Sequence, residues 1–291
     1  MVWAEAGRRG PGALCSRSTP PKEDRAMATL DFLVRESAAE YREKTGQFLT
    51  SHQLADFRRC PLLYWHKKQG LVPDEDRPAY LVGRAAHTLI LEGRERFDAE
   101  YAVGGPVNPR TGKPFGAATK AFADWAAAQG KPVITGEQFA MVVNLTTGVR
   151  SHPIAAELLS DGVPEGVVRT EYCKRPCQAR LDFFNPKRGV IDLKTCDDLT
   201  WFEADARRFN YTHQFAFYHA LIVRVTGREW PVHVIAVEKK PPHRCGVWQM
   251  SEQTLAVARR ENEAAIDRLK ACESLGAWPS GYEERRVFDY V

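Results

Sequence analysis

The sequence predicts a mixed α/β fold, a central mixed sheet flanked by helices and preceded by a helical section. Three observations predict it. Apolar residues recur at helical spacing through most of the chain between Thr50 and Ser160. From Glu165 onward that pattern gives way to β-branched and aromatic runs separated by short turns. Two helical segments, 200–208 and 211–226, interrupt those runs, and a long amphipathic segment with a glycine stop follows the last of them.

Taken in order, a short helical stretch follows Met27. Thr50 or Ser51 then caps a helix whose Leu54, Phe57, Leu62, Leu63 and Trp65 fall mostly on one face. Pro61 should bend or break it, because proline lacks the amide that a helix interior needs. Residues 72–79 read as a polar loop, and AYLVGRAAHTLILEG as a helix ended by Gly93. Residues 102–116, rich in Gly, Pro and Asn, read as a loop of no assigned role. Helices are expected over 117–129, 135–148 and 153–160. Strands follow in EGVVRTEY, CQARLDFF, GVIDLKTC, WPVHVIAVEK and CGVWQMS, and a last helix spans 251–276. The expected organisation is an extension of residues 1–26, lacking order, then one domain over 27–291. Residues 27–163 form its mainly helical front, and 164–291 carry the sheet.

Composition narrows the function. With 44% hydrophobic and 27% charged residues the chain reads as an ordinary globular protein. No apolar run reaches the length of a membrane span, and residues 1–26 lack the apolar stretch of a secretory signal. The net charge of +4 is compatible with a polyanionic partner. Seven cysteines at irregular spacing, with only Cys173 and Cys177 close together, read as free thiols in a reducing cytoplasm.

The chemistry concentrates in ARLDFFNPKRGVIDLKT, residues 179–195. Two apolar runs flank a turn, and each carries an aspartate that a buried strand would ordinarily avoid. In an antiparallel hairpin Asp182 and Asp192 lie opposite each other, and facing like charges are favourable only with a cation between them. Carboxylate oxygens are ligands that Mg²⁺ prefers, and the Leu193 carbonyl points into the same place. Lys194 projects from the face of Asp192, where it can orient or help deprotonate an attacking water and offset charge on phosphorus. Arg180 shares the face of Asp182 and suits a phosphate. Glu171 either adds a carboxylate for a second metal or is an ordinary strand-end residue. His87 lies among Leu81, Val82, Leu89, Ile90 and Leu91, as a core histidine would, and no role is derived for Glu238.

Asp182 followed by Asp192-Leu193-Lys194 resembles the signature of the PD-(D/E)XK nucleases. GRAAH at 83–87 resembles the helix that supplies a histidine in the RecB-like branch, and QFAFY at 214–218 its Q-x-x-x-Y motif. VEKKPP at 237–242 and SHQLADFRRCPLLYW resemble the exodeoxyribonuclease VIII (RecE-like) and phage exonuclease group. The resemblance runs from about residue 48 to the C-terminus. It implies a restriction-endonuclease-like core with His87 completing a metal shell of Asp182, Asp192 and the Leu193 carbonyl. Gln214 and Tyr218 would contact the active site or the DNA backbone. It also implies Mg²⁺, with Mn²⁺ as substitute, and a 5′→3′ exonuclease that leaves 3′ single strands on linear duplex for recombination or repair. A ring-like homo-oligomer and a single-strand-annealing recombinase as partner follow from the same likeness. Some relatives hold an iron–sulfur cluster through one upstream and three C-terminal cysteines. Here only Cys272 lies near the end, so no cluster is expected, and Cys60 should pack as a small apolar residue. The alternatives are a structure-specific or single-strand nuclease of the same fold, similar to Cas4, and a non-catalytic DNA-binding relic.

Overall fold

The protein is described by a computed structural model covering residues 30–73 and 78–289. The extension expected over 1–26 and part of the 72–79 loop lie outside the described residues. The helices are α1 (Ala38–Glu43), α2 (Ser51–Arg59), α3 (Pro61–Lys68), α4 (Pro78–His87), α5 (Arg94–Glu100), α6 (Lys120–Ala128), α7 (Gly136–Ser151), α8 (Pro153–Leu158), α9 (Phe202–Arg208), α10 (Tyr211–Thr226) and α11 (Glu252–Leu275). Two-residue strands β1 (Ala102–Val103) and β2 (Val133–Ile134) pair in parallel. The main sheet holds β3 (Val163–Tyr172), β4 (Arg175–Asn185), β5 (Gly189–Cys196), β6 (Val232–Glu238) and β7 (Cys245–Gln249), in that order across the sheet. Its pairings are antiparallel except β5 with β6, which are parallel and joined through α9 and α10.

Local chemistry explains the helix limits. Thr50 accepts from the Gln53 amide while the Gln53 side chain accepts from the Thr50 amide, a reciprocal cap that Thr135 and Gln138 repeat on α7. Pro61 splits the expected single helix in two by taking the first position of α3, where a missing amide does no harm. Cys60 does not pack as a plain apolar residue: its Sγ caps α3 by accepting from the Leu63 amide at 3.4 Å. Within the loop expected over 102–116, Ala102 and Val103 pair with Val133 and Ile134. A two-residue strand leaves no readable alternation.

The sheet separates two cores. Leu181, Phe184, Val190, Val232 and Val234 pack with α2, α10 and α11 on one face. Phe183, Ile191, Leu193, Ile235 and Val237 pack with α4, α5, α7 and α8 on the other. No helix among the described residues is long and apolar enough to cross a membrane.

Candidate active site

The site begins with a turn. Buried Asn185 accepts from the amides of Lys187 (2.8 Å) and Arg188 (3.1 Å) and donates to the Leu158 carbonyl (3.0 Å). Gly189, at φ +91°, closes the turn where a Cβ would lie 2.2 Å from the Pro231 carbonyl oxygen. This turn sets Asn185 against Gly189, Phe184 against Val190 and Phe183 against Ile191. The same register puts Asp182 opposite Asp192, but backbone pairing stops one step short of them while β4 continues to Arg175 and β5 to Cys196. The strands fork here. The Leu193 amide donates to Asp182 Oδ2 at 2.8 Å.

A second hairpin brings in another acid. β3 pairs Pro164 with Phe183 and Gly166 with Leu181, so Glu165 falls opposite Asp182. Its φ of +54° is uncommon for a side-chain-bearing residue, and such backbone persists where the surroundings enforce it. Arg180 Nε lies 2.9 Å from Glu165 Oε2.

His87 arrives from the opposite face. Ala85 and Ala86 are fully buried, and a Cβ on Gly83 would only touch Thr195 at 3.8 Å, so the small residues of GRAAH let α4 lie close against β5. His87 ends α4, and a π-helical turn over Thr88–Glu92 follows, a distortion found often at functional sites. Its Nδ1 lies 3.5 Å from Asp182 Oδ2. Ligand atoms of His87, Glu165 and Asp182 all lie within 4.8 Å of one another.

The electrostatics are those of carboxylates short of positive charge. Burial and then the Asp182 charge push Glu165 up to about 8. The same two causes push Asp192 up to about 6, against the pull of Lys194. Asp182 is also raised, mainly by burial. Burial and the Lys194 charge lower His87 to about 4, leaving a neutral imidazole with a lone pair to offer. Burial pulls Lys194 down, yet Asp192 and Asp182 outweigh it and hold the ammonium above its ordinary range. So held, the lysine sets a positive charge beside the two aspartates of the fork.

Lys194 contacts the Asp192 carboxylate and lies over the rings of Tyr211 (5.0 Å) and Phe215 (5.7 Å) on α10. One turn along, Gln214 Nε2 donates to Tyr218 Oη at 2.8 Å, and burial followed by the Asp192 charge raises the Tyr218 phenol well above its usual value. The two residues therefore meet as one unit against the carboxylates.

The sequence-derived set is gathered with one exception. His87, Asp182, Asp192, Leu193, Lys194, Arg180, Gln214 and Tyr218 surround the fork. Glu171 does not: it is exposed, pairs with Pro176, and lies roughly 20 Å along β3 from Glu165 at about 3.3 Å per residue. Glu165 stands where Glu171 was expected. The signal was available, since a turn at 173–174 makes the hairpin place 165 opposite 182. Glu238, given no role by the sequence, is a structural acid. It accepts from Arg244 Nε (2.8 Å), Arg244 Nη2 (2.6 Å) and the Leu199 amide (2.8 Å).

An imidazole and two carboxylates converging within 4.8 Å, beside a third buried carboxylate, form a donor set suited to a hard divalent cation. Burial first, and for Glu165 and Asp192 the neighbouring Asp182 charge as well, raises these acids, and a bound cation would offset both.

The fold has a counterpart among solved structures. A solved protein from Eubacterium rectale, provisionally named an exonuclease, superposes with a TM-score of 0.65 over 89% of this chain and 96% of its own, at 14% identity. At that identity the likeness concerns the fold. No curated protein matches the chain significantly. Residues 50–288 match the family described as PDDEXK-like domain of unknown function (DUF3799). With its forked hairpin, its α/β sheet and this match, the chain belongs to that family, and so to the PD-(D/E)XK nuclease superfamily.

Proposed function

We propose that the protein is a divalent-metal-dependent deoxyribonuclease, acting as a 5′→3′ exonuclease on linear duplex DNA and leaving 3′ single strands. The observation that carries the reading is the convergence of His87, Glu165 and Asp182 beside the Asp192–Lys194 pair in the fork of β4 and β5. His87, Glu165 and Asp182 would hold the ion, joined by Asp192 and the Leu193 carbonyl. Mg²⁺, or Mn²⁺ in its place, supplies a Lewis acid for the phosphate and lowers the pKa of a water. Lys194, kept charged, faces the negative charge that develops on the phosphoryl oxygens. Arg180 is shared between Glu165 and an incoming phosphate, and the Gln214–Tyr218 unit orients the strand. Binding through phosphates makes affinity salt-dependent and largely indifferent to sequence.

The polarity, the ring-like homo-oligomer and a single-strand-annealing recombinase partner rest on the RecE-like motifs in the sequence. A cytoplasmic location rests on the unpaired cysteines, and a single nuclease domain over 27–291 on the order of helices and strands in the sequence. The test is digestion of linear duplex labelled at one 5′ or one 3′ end, with and without Mg²⁺ or Mn²⁺, beside a closed circular duplex. Metal-dependent release from the 5′ end with the circle intact is expected. Cutting of the circle would overturn the exonuclease reading, and no cleavage of any DNA would overturn the catalytic one.

A further inference from the structure

The connection from β5 to α10 carries exposed aromatic residues that the metal site does not use. Phe209 is 55% exposed and Trp201 64% exposed, in a segment that also presents Arg207 and Arg208 to solvent. A single exposed phenylalanine needs no explanation. Phe209 differs because of what it touches. Asn210 adopts a left-handed conformation (φ 59°, ψ 34°) at the corner between α9 and α10, which brings the Phe209 and Tyr211 rings to 5.8 Å with a 30° tilt. Tyr211 in turn lies under the Lys194 ammonium at 5.0 Å. An unbroken line of groups thus leads from the active-site lysine to an open aromatic face, with the Arg208 guanidinium 5.5 Å from the Phe209 ring.

We propose that Phe209, backed by Tyr211, is a stacking platform for an unpaired terminal nucleobase of the DNA strand entering the site, with Arg208 beside it for the phosphate. The inference rests on the nuclease reading and deepens it: the strand being cut reaches Lys194 unpaired, its terminal base held on the ring, the phosphate next to that base at Arg208 and the scissile phosphate at the fork. Base–aromatic stacking tolerates any sequence, because every base has a π face, which suits an enzyme that must process whatever follows.

The test uses the full chain in EDTA, so that nothing is cleaved, and short single-stranded DNA with 2-aminopurine at one end or the other. Binding should quench the probe at the platform. Phe209→Leu, which keeps apolar bulk without a π face, should weaken binding about tenfold, whereas Phe209→Trp should retain it. A strand whose terminal residues are abasic should bind wild type and Phe209→Leu alike. Equal affinity of the wild type for abasic and base-bearing strands would overturn the platform, as would an equal loss on both strands in Phe209→Leu. If metal-dependent cleavage persists in that case, the nuclease reading stands without the platform. Failure both to bind and to cleave any DNA would remove the two together.

Discussion

Two groups of buried acids sit on the same sheet and behave in opposite ways. At the β4–β5 fork, Glu165, Asp182 and Asp192 face one another, and the folded protein raises all three, Glu165 to about 8 and Asp192 to about 6. At the end of β6, Glu238 is also shielded from solvent, but it lies nearer the surface than Asp192, beside a half-exposed arginine, and accepts two hydrogen bonds from Arg244 and one from an amide. Arg244, the largest cause, pulls it down to about 2. Low solvent exposure alone therefore does not distinguish a site from a scaffold. Two things distinguish them: how deep the acid lies, and whether its charge is answered from within the chain. Glu238 fastens the β6–β7 turn to the segment after β5, while the fork holds an unanswered excess that an external cation can meet.

The contrast can be broken most sharply at Asp192. Asp192→Ala should lower metal-dependent cleavage by about 10²–10³-fold or more, while the metal-free protein remains folded by circular dichroism. Unfolding of that variant would mean the acid is structural, like Glu238.

Glu165→Gln comes next and tests the excess charge itself. It should weaken Mn²⁺ binding, read by calorimetry, about tenfold or more, and raise the melting temperature of the metal-free protein at neutral pH. The sign follows from linkage. Between its ordinary value of 4.5 and about 8, Glu165 binds a proton when folded that the unfolded chain has lost. Metal-free stability should fall as pH rises through that window, and Glu165→Gln should flatten the fall.

Glu238 carries the reverse dependence. Its stabilisation is present above 4.5 and is lost as pH falls toward about 2. Glu238→Ala should cost about 1 kcal/mol in urea melts, chiefly by leaving the Leu199 amide unpaired, since half-exposed Arg244 keeps Asp198 and water, with far less effect on cleavage than Asp192→Ala. The smallest effect belongs to Glu171→Ala, which should change stability by no more than about 0.5 kcal/mol and leave cleavage at the wild-type rate. A large loss there would return Glu171 to the site in place of Glu165.

Much of this was legible in the sequence because it depends on short-range periodicity. Asp182, Asp192 and Lys194 could be paired because one tight turn fixes their hairpin. The helical run through α4 and its π-turn could be read from its apolar spacing and from Gly93, though not the change of helix type at His87. Glu165 was missed although the 173–174 turn fixes its register, because Glu171 lay nearer in sequence and the left-handed backbone at 165 has no side-chain pattern to announce it. Tyr211 escaped because its meeting with Lys194 joins the start of a helix to a strand it is not paired with. Cys60 read as apolar filler since a thiol seldom caps a helix, and Glu238 was silent because Arg244 reaches it only once the β6–β7 turn has closed.

The bond from the Leu193 amide to Asp182 Oδ2 gives the fork a built-in reporter. A backbone proton that rests on a carboxylate moves its NMR resonance whenever that carboxylate gains a proton or a cation. The Leu193 amide signal, followed through titrations with acid and then with metal in one uniformly labelled sample, would record the filling of the site without a chromophore, a substrate or a single turnover.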